Sequence, residues 1–126
     1  MKKILSLLII LIFVVSLVSC AETFDKATKR YMEIIPNGQI YTQEQIDAVQ
    51  ATHDKHEHFN GKILSIAHFP TLDSSGKIVY VYIYEFELEA DAEFWYDNVT
   101  TGWLYARKSG NVVAYGTNPV IERIRF

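Results

Sequence analysis

The stretch Ile78-Val79-Tyr80-Val81-Tyr82-Ile83-Tyr84-Glu85-Phe86-Glu87-Leu88 decides the fold. β-Branched and aromatic residues fill it, and these fit a pleated strand. Alternate side chains of a strand share a face. One face therefore carries Ile78, Tyr80, Tyr82, Tyr84, Phe86 and Leu88, and the other Val79, Val81, Ile83, Glu85 and Glu87. Both faces are apolar for most of the length, which places the strand centrally in a sheet. Before it, Asp73-Ser74-Ser75-Gly76 reads as a turn and Ile63 to Phe69 as a second strand, so the pair forms an antiparallel hairpin.

Helical spacing appears on either side. Thr42 is an N-cap candidate, and Gln45 three residues later completes a capping-box pattern. A helix over 43–56 follows, with Ile46, Val49, His53 and His56 along one side and Asn60-Gly61 as its stop. Ala90 to Asn98 is again helical, with Leu88, Ala92, Trp95 and Val99 on one side. Trp103 to Lys108 and Val112 to Gly116 form a second hairpin around Ser109-Gly110-Asn111. Asn118-Pro119 can open a last short helix, with Val120, Ile121 and Ile124 as its apolar side. The order αββαββα over 41–126 predicts an α+β two-layer sandwich, a four-stranded antiparallel sheet with helices on one face. A ferredoxin-like arrangement is the alternative and needs another strand near Gln39 to Tyr41. Residues 20–40 read as an anchor followed by a tether or an N-terminal helix, with Phe24, Ala27, Tyr31 and Ile34 at helical spacing, broken by Pro36-Asn37-Gly38.

The first nineteen residues form a separate unit. Lys2 and Lys3 precede an apolar run, Ile4 to Val18, interrupted only by Ser6 and Ser16. A spanning helix needs about 20 apolar residues to cross roughly 30 Å of hydrocarbon. This run is shorter and has the charged, apolar, small-residue order of a secretory signal. An uncleaved membrane anchor is the competing reading. Leu17-Val18-Ser19-Cys20 resembles the bacterial lipobox. That resemblance implies a lipoprotein precursor: diacylglycerol transfer to the Cys20 thiol, cleavage after Ser19, and further acylation, typically with palmitate. Two or more chains anchor stably, at about 0.8 kcal/mol per buried CH₂. The chain is then expected on the extracytoplasmic side of the cell membrane or outer membrane. Ala21 is not the Asp that resembles an inner-membrane retention signal, which in a two-membrane cell points to outer-membrane sorting.

Charge and cysteine usage narrow the function classes. Removing 1–19 takes away two lysines and leaves 107 residues with 10 basic and 15 acidic side chains, a formal charge of −5. Nucleic-acid binding needs clustered Lys and Arg to neutralise phosphate, so no nucleic-acid partner is expected. Cys20 is the only cysteine. Lipidated, it leaves no thiol for a disulfide, a nucleophile or a cysteine zinc site. No Gly-x-Ser-x-Gly elbow occurs, and the six glycines are scattered rather than grouped in a phosphate loop. A non-enzymatic protein is expected.

The segment from Tyr84 through Gly116 also resembles a pattern of small uncharacterised bacterial lipoproteins. In these an acidic strand end leads into an Asp-Ala, Phe-Tyr-type helix and then a basic hairpin with Gly at its turn. The group carries no established activity, so no catalytic residue is implied.

Two constellations are candidate sites. The first is aromatic. Were helices to cover the Val79–Val81–Ile83 side, Tyr80, Tyr82 and Tyr84 would be left on an open face, extended by Trp103 and Tyr105. Tyrosine offers a large apolar area with a polar tip, which suits a contact surface for a protein or small ligand. The opposing reading makes the tyrosines core, and Glu85 and Glu87 favour it by suggesting that the valine side is the wet one. The second is the run His53-Asp54-Lys55-His56-Glu57-His58. Imidazole and carboxylate are zinc ligands. At about 100° per residue His53 and Glu57 fall roughly 40° apart and His53 and His56 roughly 60° apart on a helix. His58 joins them only where the helix has ended, and His68 on the next strand can add a ligand. Against zinc, the spacing is not His-Glu-x-x-His, and His is favoured at a helix end by the dipole. The acidic run Glu85, Glu87, Glu89, Asp91 and Glu93 lacks EF-hand spacing and crosses into a helix start, where acids are favoured structurally.

Overall fold

The computed structural model describes residues 23–54 and 61–124. The lipobox, and His56, Glu57 and His58, lie outside them. The fold is α+β. Helix α1 covers residues 23–34 among those described. It is followed by β1 (Gln39–Ile40), α2 (Gln43–Asp54), β2 (Ile63–Leu72), β3 (Ile78–Phe86), α3 (Glu89–Thr100), β4 (Tyr105–Ser109), β5 (Val112–Gly116) and a 3₁₀ turn (Pro119–Glu122). The five strands form one sheet in the order β1-β2-β3-β5-β4, every neighbouring pair antiparallel.

Local chemistry explains several boundaries. The α2 capping box is closed in both directions: the Thr42 amide donates to Gln45 Oε1 at 2.9 Å and the Gln45 amide to Thr42 Oγ1 at 3.3 Å. At the far end of α2, Gln50 donates to the Gly61 carbonyl at 2.8 Å and accepts from the Ile63 amide at 2.7 Å, fastening α2 to the start of β2. Asp73 Oδ1 accepts from the amides of Ser75 and Lys77, both at 2.9 Å, and from the Ser75 hydroxyl at 2.7 Å, which fixes the β2–β3 turn. These bonds hold its carboxyl below the ordinary value. Asn118 caps the 3₁₀ turn through the Val120 amide at 3.0 Å.

Two expectations are corrected here. The sheet has five strands rather than four, because Gln39–Ile40 pairs with Ala67 and His68 of β2. Helices lie on both faces rather than one. One face presents Ala67, Phe69, Val81, Ile83, Val112 and Ala114, packed with Phe24, Ala27, Tyr31 and Ile35 of the α1 segment and with Ile121. The other presents Ile66, Tyr84, Phe86, Val113 and Tyr115, packed with Ile46 of α2 and Ala92 and Val99 of α3. Arg107 closes the first layer, donating from Nε to the Ile121 carbonyl at 2.8 Å and from Nη2 to that of Glu122. The added strand does not produce the ferredoxin-like alternative. β5 lies between β3 and β4, giving one split β-α-β unit, whereas β1 and β2 are adjacent and antiparallel.

Candidate functional site

The second face carries a continuous field of aromatic rings. Its buried half lies under α2 and α3. Trp95 of α3 stacks on Tyr84 with ring centres 5.8 Å apart, and His53 of α2 meets Trp95 edge-on at 4.8 Å and Tyr84 at 6.1 Å. Tyr115 touches Tyr84 at 5.2 Å and Trp95 at 5.7 Å. Strand pairing puts these rings together: Tyr115 lies opposite Tyr82 and Val113 opposite Tyr84.

The outer half continues toward the β2–β3 turn. His68 lies opposite Tyr82 and stacks on it, with centres 4.3 Å apart and planes 10° apart. Tyr80 meets Tyr82 at 5.3 Å and His68 at 6.5 Å, and Tyr41 meets His68 edge-on at 6.4 Å. Beyond them the same face ends in Pro70 opposite Tyr80 and Leu72 opposite Ile78. Here the helices no longer cover the sheet. Leu72 is 64% and Ile78 69% exposed, while Tyr80, Tyr82 and His68 are half-buried.

Electrostatics follow the coverage. Burial, with side-chain hydrogen bonding between Tyr82 and Tyr41 and the charges of neighbouring tyrosines, pushes the Tyr82 hydroxyl well up. Burial likewise raises Tyr84, and it raises Tyr115 further. All three remain neutral donors at physiological pH. Burial lowers the His68 imidazole below 6.5. With the folded value below the unfolded one, the unfolded chain takes up the proton first as pH falls. His68 therefore withdraws stability as pH drops below about 6.5. The wild-type melting temperature is expected to fall relative to that of His68→Gln between pH 7.5 and 5. A constant gap across that range refutes the burial of a neutral ring.

The candidate residues fall as follows. Tyr80 and Tyr82 belong to the open half. Tyr84, 4% exposed, is a core residue under His53 and Trp95, so it is removed from the contact surface. Tyr105 is also removed: it pairs with Gly116, and its ring packs against the α1 side of the sheet. Trp103 lies outside the aromatic field, in the turn after α3, 99% exposed and with φ of 73°. Of the histidines, His53 and His68 are both in the field but hold different rings, and no three His, Cys, Asp or Glu side chains converge on a metal-sized site among the described residues. Glu85 faces the α1 layer, where it accepts from Ser65 Oγ at 2.9 Å and burial raises its carboxyl. Tyr41 and Tyr115 are members of the field that the sequence reading missed. Tyr115 carries a signal, since it shares a face with Val113 two residues before it, as Tyr84 does with Tyr82. No family model matches the chain, and no curated protein or solved structure matches it.

Proposed function

We propose that this chain is a lipid-anchored bacterial lipoprotein whose domain binds a protein partner through the open half of its aromatic sheet face. One observation carries the binding reading: the strip from His68 and Tyr82 through Tyr80 to Leu72 and Ile78 leaves large apolar side chains uncovered on one continuous face. Scattered exposed leucines are ordinary, but a contiguous apolar and aromatic strip is the usual composition of an interface centre. The lipobox, with Cys20 as the modified residue, supports the anchoring. Among the described residues no helix is long and apolar enough to cross a membrane.

A photocrosslinking amino acid at Ile78, in the full chain expressed in a bacterium, tests the surface. A discrete adduct is expected that weakens when Tyr80→Ser is added and is missing when the group stands at Lys29 on α1. Equal yields at Ile78 and Lys29 overturn the reading. In the same cells, Cys20→Ser is expected to abolish incorporation of a palmitate analogue and to move the chain out of the membrane fraction. Unchanged incorporation overturns lipidation.

A further inference from the structure

The start of α1 has a defined place on the sheet. Ile35 and Pro36, at the end of the α1 segment, line a shallow pocket with Pro70, Leu72 and Ile78. Tyr31, a turn earlier, packs against Phe69 with ring centres 5.6 Å apart and planes tilted by 37°. Phe24, two further turns back, packs in the same layer. Asp25, beside Phe24, lies near enough to Glu85 for its charge to add to the burial that raises that carboxyl. The helix thus runs from the end of the sheet where β3 finishes to the end where it begins. Only residues 21 and 22 separate Cys20 from the described start of this helix. Three Cα–Cα steps reach at most about 11 Å. The nine residues of β3 span roughly 26 Å. The leash is therefore far shorter than the domain is long.

The β3-exit end has the surface that this constraint requires. Leu64, at the β2 irregularity, is 39% exposed, and Leu88, between β3 and α3, is 57% exposed. Beside them Lys62 pairs with Glu87 at 3.5 Å and Lys108 with Glu89 at 3.6 Å. These pairs offset two of the acidic side chains at this end, so the seating rests on the leash and the leucines rather than on charge. Leu64 and Leu88 are able to enter the interfacial layer, where apolar side chains gain from burial.

We infer that the short leash seats the Leu64 and Leu88 end of the domain on the phospholipid headgroup layer and directs the Tyr80–Leu72–Ile78 strip away from the bilayer. The inference rests on the lipoprotein reading. It makes the bilayer itself a second, oriented partner of the domain and leaves the aromatic strip accessible to proteins outside the membrane.

The lipidated full chain, reconstituted into phosphatidylcholine and phosphatidylglycerol vesicles, provides the test. Cys20 is the only cysteine and is capped by lipid, so an introduced cysteine is a unique labelling site. Leu88→Cys and Trp103→Cys, both at exposed positions, carry a fluorophore, and nitroxide-bearing lipids quench it. Quenching several-fold stronger at position 88 than at 103 is expected. Inserting sixteen Gly and Ser residues after Ala21, with an r.m.s. span of roughly 20–24 Å, is expected to bring the two positions to similar quenching. Equal or reversed quenching in chains that float with the vesicles overturns the orientation alone. A difference that survives the insertion overturns the leash as its cause. Chains that do not float at all overturn the lipoprotein reading and the inference with it.

Discussion

Gly116→Ala is expected to destabilise the domain by on the order of 3 kcal/mol, or roughly 12 °C in melting temperature for a chain of this size. Gly116 ends β5 at a φ of 154°. A Cβ there would stand 2.1 Å from the carbonyl oxygen of Tyr80 and 2.9 Å from its carbonyl carbon. Both are backbone atoms, and the oxygen is already held by the Asn118 amide at 3.2 Å, while the Tyr80 amide donates to Thr117 Oγ1 at 3.1 Å. The strand cannot retreat without losing these bonds. Gly76→Ala separates the two costs, because Gly76 also has a positive φ, 81°, but open space around it. The difference between the two variants in thermal unfolding measures the clash. Melting temperatures within a degree or two of each other would show that β3 and β5 do not approach this closely at Tyr80. Because Tyr80 lies in the open strip, Gly116→Ala is also expected to weaken the Ile78 crosslink more than its loss of stability explains.

The central strand was legible because its composition reports its surroundings. A strand covered on both faces for most of its length reads as a nearly continuous apolar run, and Val79 to Tyr84 does so. The α2 capping box was legible for the same local reason, two side chains three residues apart. The second covered face was not. Its cover is α1, which the sequence left between tether and helix. The buried set is Phe24, Ala27, Tyr31 and Ile35, whereas Ile34 is 53% exposed. That one-residue difference is set by which way α1 leans on Phe69, a contact made 34 or more residues away in the chain.

The site shows the same division. Alternation alone places Tyr80, Tyr82 and Tyr84 on one face, and they are there. Which of them is covered depends on where α2 and α3 stop, and they stop between Tyr84 and Tyr80. The sequence groups Tyr105 with the tyrosine strip, but its side is fixed by pairing with Gly116, and through it Val81, on the other face. A strand's face is set by register, and a shift of one residue reverses every side chain. His68 has the chemistry of a metal ligand, but the residue opposite it is Tyr82, and its ring stacks there. Only the cross-strand partner reveals this.

Phe69→Ala is the other large effect. Phe69 is fully buried where α1 meets the sheet, against Tyr31 on one side and Gly38 on another. A Cβ on Gly38 would lie 2.2 Å from Cδ1 of Phe69, so backbone already presses on the ring. Removing the ring leaves a cavity walled by that backbone and by a tyrosine held in an α-helix, neither of which can collapse into it easily. A loss of about 3–5 kcal/mol is expected, against a total of about 5–15 kcal/mol for a domain of this kind. Phe69→Leu keeps most of the volume and is expected to cost less than half as much. Chemical denaturation of the three proteins gives these values. Tyr31 supplies an independent readout. Burial pushes its hydroxyl up to about 12, the Arg107 charge opposing. In Phe69→Ala the cavity admits water to Tyr31, so its ultraviolet titration is expected to move down toward 10 while the chain remains folded. A small loss of stability with an unchanged Tyr31 titration would mean that α1 does not rest on Phe69. The proposed orientation on the bilayer would then lose the rigid connection on which it rests.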